Sequence, residues 1–367
     1  MSSDKMSALN FPIFKTKIVG LNKKFNLNDP DDRREYFKLK AGPEIEKIRK
    51  YLDSGKTFVG YLLGKKNSGK GTYSKLFMEA ISPSTSSEQA AIGHVAVGDI
   101  VRDVHAGLSD PKKKKELSEF FKKNYRGFHS LEEMDGLIEG RSQSSLVSTE
   151  LILTLLKYEI SKRPHQAIFI DGFPRGLDQI SYSIFLRELL GYRDDPDFFV
   201  FINLPTAIID ARIKTRVVCP ICKTPRNTKL LATKEVGYDK DKKEFYLICD
   251  NPSCGGARMM PKEGDELGIE PIRERLETDE KVFNKLLGLH GVPKVYLRNS
   301  VPVSKAAEFV DDYEITPAYS YELDASGKVR IIEKPWVIKD DKGVDSHSLL
   351  PAPVALGMIK QIAEILE

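Results

Sequence analysis

The sequence predicts an α/β fold, a parallel β-sheet flanked by helices with two lobes inserted into it. Three observations carry that prediction. Apolar runs at 58–63, 167–170 and 198–202 have the length and composition of buried strands, and helical patterns lie between them. The first run leads directly into a glycine-rich turn and then a helical stretch. All four cysteines, Cys219, Cys222, Cys249 and Cys254, fall in one window of a 367-residue chain.

Composition bounds the reading. Hydrophobic residues make up 41% and charged residues 30% of the chain, which excludes disordered, collagenous and disulfide-scaffold classes. At roughly 100–200 residues per domain, this length suits two or three domains or one large core with insertions. The net charge, 57 − 53 = +4, is too small for its length to indicate a nucleic-acid or membrane partner. No run of apolar residues is long enough to span a bilayer. Lys5, Lys15 and Lys17 interrupt the apolar stretches that a secretory leader would need, so the expected location is the cytoplasm and the expected thiols are reduced or metal-bound.

In chain order, residues 1–56 read as an N-terminal extension. Asn28-Asp29-Pro30 is a turn signal, and Pro43-Glu44 opens a short helix with Ile45, Ile48 and Leu52 on one face, suited to docking on the core. Phe58-Val59-Gly60-Tyr61-Leu62-Leu63 then reads as a buried parallel strand. It is followed by Gly64-Lys65-Lys66-Asn67-Ser68-Gly69-Lys70-Gly71-Thr72 and a helix with Leu76, Phe77 and Ala80. A glycine-rich turn between strand and helix directs several backbone N–H groups at one point. The helix terminus adds partial positive charge, so the natural ligand is a polyphosphate. Gly64 and Gly69 allow close approach, and Lys70 reaches the β- and γ-phosphates.

The run Lys112 to Lys115 reads as a solvated helix start, and 146–161 as a helix with Leu151, Leu155 and Tyr158 on one side. Asp171 stands directly after the strand 167–170, where a carboxylate can hold Mg²⁺ through water. Asp99 is a second acidic candidate or a helix N-cap. Cys219-Pro220-Ile221-Cys222 and Cys249-Asp250-Asn251-Pro252-Ser253-Cys254 form two knuckles, a donor set for structural Zn²⁺; a thiol redox pair is the competing reading. In the remainder, Tyr319–Leu323 and 328–332 read as a hairpin about Ala325-Ser326-Gly327, with Trp336 available to pack on it. The histidines show no metal spacing, and His347 reads as a surface residue. Ile359, Ile362, Ala363 and Leu366 mark a core-packing terminal helix.

The phosphate loop, with Gly71 and Thr72 after Lys70, resembles that of the adenylate kinases, nucleoside monophosphate kinases of the P-loop class. Further segments match in order. They are His94-Val95-Ala96-Val97-Gly98-Asp99-Ile100-Val101-Arg102; Gly140-Arg141 through Leu146-Val147-Ser148-Thr149-Glu150; Asp171-Gly172-Phe173-Pro174-Arg175 with Gln179; Ala211-Arg212-Ile213-Lys214-Thr215-Arg216; and Ile272-Arg273-Glu274-Arg275-Leu276. The similarity spans roughly residues 57–287.

This resemblance implies reversible phosphoryl transfer from Mg-ATP to AMP. ATP would contact Gly64, Ser68, Gly69, Lys70, Gly71, Thr72, Arg212 and Arg216. AMP would contact Val97, Gly98, Arg102, Val147, Gly172, Arg175, Gln179 and Arg275. Lys70, Arg175, Arg216 and Arg275 would act on the transferring group, and Mg²⁺ would sit at Asp171. The cysteines would place Zn²⁺ in the closing lid, with Arg258 or Lys262 as a further lid phosphate ligand. Implied divisions are 1–56 N-terminal extension, 57–92 core with P-loop, 93–160 NMP-binding lobe, 161–211 core, 212–272 LID and 273–367 core with C-terminal elaboration. A monomer with nucleotide partners is expected, with neither membrane nor nucleic acid. Ala96 and Val97 stand where the family has hydroxyl residues, which leaves another nucleoside monophosphate as acceptor. A nucleotide-switched RNA-binding protein is the alternative of a different class, with the cysteine hairpin and Lys112–Lys115 on RNA.

Overall fold

The computed structural model describes residues 11–82, 91–130, 133, 148–192 and 194–366. From the amino end it forms α1 (Pro30–Asp53), β1 (Val59–Leu63), α2 (Lys70–Ile81), β2 (Ile92–Ala96), α3 (Val97–Gly107), α4 (Pro111–Asn124), α5 (Thr149–Ser161), β3 (Ala167–Asp171), α6 (Ile180–Leu189), β4 (Asp197–Asn203) and α7 (Thr206–Lys214). The cysteine-bearing segment follows with β5 (Arg216–Val218), β6 (Pro225–Asn227), β7 (Val236–Asp239), β8 (Glu244–Leu247) and β9 (Met260–Pro261). Then come α8 (Arg273–Leu287), β10 (Lys294–Arg298), β11 (Ser300–Pro302), α9 (Val303–Phe309), β12 (Pro317–Leu323), β13 (Val329–Pro335), β14 (Ile338–Lys339), β15 (Asp345–Ser348) and α10 (Pro351–Ile365).

Five strands form one parallel sheet in the order β10-β4-β1-β3-β2. β1 lies at its centre, with Tyr61 level with Ile170 on one side and Phe199 on the other. Alternate residues feed two cores, as strand geometry requires. Phe58, Leu62, Phe169, Phe198 and Val200 pack with α1, α2 and α10, whereas Val59, Tyr61, Leu63, Ile168 and Phe199 pack with α3–α5 and α8. Gly60 is required by the first of these layers: a Cβ there would lie 2.7 Å from the ring of Phe169.

The three strands expected from the sequence are present, and β2 and β10 join them as the sheet's edges. Helix α1 starts earlier than expected. Asp29 caps it, accepting from the N–H groups of Asp31 and Asp32, and the helix kinks at Ala41 just before Pro43. Its buried Ile45 and Ile48 belong to the α10 side of the core, the docking face expected of it. Asp99 does not cap α3, because the helix begins at Val97 after Ala96 and places Asp99 in its first turn.

The hairpin read near the C-terminus is β12–β13, paired from Pro317 with Pro335 to Leu323 with Val329. Trp336, at the hairpin's end with its N–H on the Thr316 carbonyl at 3.2 Å, packs with Leu204, Ile208, Ile209 and Ile213 around α7. His347 is not a surface residue: it is buried in β15, with Nδ1 2.8 Å from the carbonyl oxygen of Trp336. Lys112 to Lys115 are all exposed at the start of α4, as a solvated helix start requires. Among the described residues no helix is long and apolar enough to cross a membrane.

Candidate active site

The central strand β1 delivers the glycine-rich turn to the carboxyl edge of the sheet, where ligands bind in open α/β sheets. Three positions fix its path. A Cβ on Gly64 would lie 2.8 Å from Ser68 Oγ and 2.9 Å from the carbonyl oxygen of Ile202, so the chain passes only as glycine. Asn67 and Gly69 both have positive φ, 66° and 97°. Gly69 precedes α2 without any side-chain cap, which leaves the first N–H groups of the helix available to an anion. Lys70 folds back across the turn, donating to the carbonyl oxygens of Gly64 (2.9 Å) and Lys65 (3.1 Å), and its Nζ is 3.9 Å from Asp171. The hydroxyl of Ser68 is buried in the turn without a hydrogen-bond partner.

Opposite the turn, the end of β3 supplies Asp171 and then Gly172, whose φ of 89° turns the chain toward Arg175. Helix α8 supplies Arg275 and Asp279. Between these walls is a cavity of about 310 Å³. Gly64, Lys66, Lys70, Gly71, Gly98, Asp171, Gly172, Arg175 and Arg275 all line it. The cations crowd one another. Burial, then the neighbouring Arg275, lowers the pKa of Arg175 from the usual guanidinium range. Lys66 is lowered by burial and by Arg275, Arg175, Lys262 and Arg216 together. Arg275 Nε is buried and unpartnered. Like charges held this close, with a donor left over, make a site that an anion stabilises.

His94 is a further cavity residue that the sequence reading gave no role. Burial lowers its pKa, opposed by Asp171, and Nδ1 lies 2.9 Å from Ser74 Oγ.

Other expected residues lie outside this cavity lining. Arg102 is exposed and paired with Asp99 within α3. Gln179 is buried, and its Oε1 accepts from the Arg175 N–H at 2.8 Å, so its amide holds the arginine loop. Val97 is buried at the start of α3. Thr72 is exposed on α2. Arg212 is half-buried on α7, close enough to Tyr73 to oppose the upward shift that burial gives that phenol. Arg216 is held by Asp265 through two contacts of 2.6 Å. Val147 lies outside the described residues. Arg273 is exposed and paired with Glu270.

In the cysteine segment, Arg258 and Lys262 stand in different surroundings. Arg258 pairs with Asp239 at 2.8 Å and with Glu244, and its guanidinium lies over the Tyr246 ring. It is committed to the hairpin, whereas Lys262 is exposed and acts on Lys66. The four cysteine sulfurs lie within 4.8 Å of one another, and Cys222 and Cys249 are 3.7 Å apart. Tetrahedral thiolates at a Zn–S distance of about 2.3 Å would stand about 3.8 Å apart, so this donor set fits zinc. Val217, Leu247 and Met259 pack around the thiols.

A parallel sheet with a phosphate loop on its central strand, facing a cluster of arginines, defines a phosphotransferase of the P-loop kinase fold. No family model matches the chain. It is similar to the adenylate kinase of Hydrogenobaculum sp. (strain Y04AAS1), 28% identical over 190 residues, which are 52% of this chain and 70% of that protein. The adenylate kinase of Clostridium novyi (strain NT) is 27% identical over 62% of this chain and 84% of its own. That of Thermosipho africanus (strain TCF52B) is 26% identical over 66% and 83%. Its similarity to these adenylate kinases, at 26–28% identity, supports a nucleoside monophosphate kinase, as the order of its motifs implied.

Proposed function

We propose that the protein transfers the γ-phosphoryl group of Mg-ATP to AMP, reversibly, giving two ADP. The observation that carries this reading is the cationic cavity between the phosphate loop and Arg175 and Arg275. An oxygen of the acceptor phosphate bonds to the γ-phosphorus while the bond from that phosphorus to the β–γ bridging oxygen breaks, and its electron pair stays on the departing ADP. This needs little covalent help from the protein; positioning and charge stabilisation do most of it.

In this reading Gly64, Ser68, Gly69, Gly71, Thr72 and Lys70 hold the donor phosphates, with Arg212 against the donor base. Gly98, Gly172, Arg102 and Arg175 hold the acceptor phosphate. Val97, Val147 and Gln179 lie by its base, and Arg216 and Arg275 close on the transferring group. Asp171, a partly exposed carboxylate facing the cavity, fits a magnesium ion held through water, which would neutralise phosphate charge. The cysteines would hold a structural zinc in a lid of residues 212–272 that closes over the core segments 57–92, 161–211 and 273–367. Residues 93–160 would form the acceptor lobe and 1–56 an N-terminal extension. We assign the protein to the cytoplasm as a monomer. Closure would exclude water, which competes with the acceptor as nucleophile.

The test is to incubate the purified protein with Mg-ATP and each nucleoside monophosphate in turn and to quantify diphosphate. The expected result is fastest transfer to AMP. Ala96 at the cavity wall and buried Val97 favour a second reading, with another monophosphate as acceptor. Preference for CMP or UMP would establish that reading in place of the first. ATP binding without transfer to any acceptor would sink both.

A further inference from the structure

We infer that Lys66, inside the phosphate loop, is an additional catalytic residue whose ammonium group holds the transferring phosphoryl group. The inference rests on the kinase reading above. Its neighbour Lys65 is already committed, donating to Thr206 Oγ1 at 2.7 Å and lying 3.3 Å from Asp341. Lys70 is folded onto the carbonyl oxygens of Gly64 and Lys65. Lys66 differs from both. It is half-buried and lines the cavity, and among the described residues its ammonium has no hydrogen bond and no carboxylate partner.

Its backbone, by contrast, is fixed. The Lys66 N–H donates to Asp279 Oδ2 at 3.0 Å, which ties this point of the loop to α8, the helix that carries Arg275. Beside the Asp279 carboxylate at its own N–H, four cations act on Lys66. They are Arg175 after β3, Arg275 on α8, Arg216 at β5 and Lys262 near β9. All four are cations, so burial and repulsion both disfavour its charge until a phosphate arrives. Lys70 and Asp171 line the same cavity, 3.9 Å apart. A lysine placed there supplies a mobile point charge to oxygens that the planar arginines grip in pairs.

Two variants test this, read in parallel by steady-state transfer and by calorimetric binding of inorganic tripolyphosphate. Lys66→Met should lower kcat about 100-fold, the scale of losing one preorganised charge contact, with an unchanged melting temperature. Lys66→Arg should restore most of the loss. The wild type should lose activity as rising pH deprotonates Lys66, whereas Lys66→Arg, whose guanidinium stays charged, should hold activity to higher pH. The proposal is overturned if Lys66→Met keeps kcat within about twofold or if the alkaline limb is the same in wild type and Lys66→Arg. Should the wild type transfer phosphate to no acceptor, the kinase reading fails by itself. Tripolyphosphate binding then decides: about tenfold weaker binding by Lys66→Met supports a phosphate contact, and equal binding overturns it.

Discussion

Arg216 and Asp265 form a two-pronged ion pair, with Nε to Oδ2 and Nη2 to Oδ1 both at 2.6 Å. The pair joins β5, where the cysteine segment leaves the core, to the turn before α8, where the chain returns. It therefore sets the direction of an arginine proposed to close on phosphate. An asparagine at 265 would keep the shape but lose the charge and one acceptor. Charge-assisted hydrogen bonds of this kind contribute about 1.5–3 kcal/mol. Asp265→Asn should lower kcat about tenfold while KM for ATP changes less than about threefold. Steady-state kinetics check this. A rise in kcat would show that Asp265 restrains Arg216 and must release it for turnover.

Lys70 gives a more severe expectation. Its two bonds to loop carbonyls are local, and no buried apolar contact depends on its ammonium. Lys70→Ala should lower transfer by roughly 100- to 1000-fold, the scale found on removing one charge-stabilising donor, with little change in melting temperature. Turnover close to wild type would remove Lys70 from the phosphate site. Loss of the fold would mean that those two bonds hold the loop's shape in place of the phosphates.

The cysteine cluster predicts a metal count. Four sulfurs within 4.8 Å of one another, packed by Val217, Leu247 and Met259, should bind one zinc ion per chain. Metal affinity here is also folding energy for the hairpin, because the thiols would otherwise have to crowd together without a cation. Chelation or Cys222→Ser should therefore raise protease sensitivity between β5 and β9 while the parallel sheet stays protected. Limited proteolysis with mass spectrometry reads this directly. Equal cleavage patterns with and without metal would contradict a structural zinc.

The parts of this fold that the sequence exposes are those buried on both faces. β1, β3 and β4 are continuous apolar runs because helices cover both sides of them. β2 and β10, the edges, carry Gly93 and His94 or begin with Lys294 and end with Arg298, and so lack that signal. Among the cavity-lining residues, Gly64, Lys70 and Asp171 were named from turn geometry and phosphate chemistry, and Arg175 from the family resemblance. The role of Asp279 was not, since its contact with the Lys66 N–H spans 213 residues of sequence. Arg216 was named from the resemblance, whereas its partner Asp265, 49 residues away, was not named. The packing of Trp336 near α7 was not readable either, since sequence proximity says nothing about α7.

Helix α1 is tied to the turn before β12 by a buried ionic network, and this sets the last expectation. Lys40 on α1 donates to Glu314 Oε1 at 2.8 Å and to Asp311 Oδ2 at 2.7 Å, while Tyr36 donates to the same Glu314 oxygen at 2.7 Å. The side chains of Lys40 and Glu314 are 0% exposed. Burial, followed by the charge of Glu314, raises the Tyr36 phenol well above its ordinary pKa, so it remains a neutral donor. Removing one member of such a pair leaves an uncompensated charge out of water, at a cost of about 3–5 kcal/mol. Lys40→Met should therefore destabilise strongly. Lys40→Met with Glu314→Leu should recover part of the loss, because no buried charge is then stranded from that pair. Urea unfolding of the two variants beside wild type measures both effects. If Lys40→Met unfolds like wild type, α1 is not held by this network, and Tyr36, Phe37, Ile45 and Ile48 in the apolar core hold it alone.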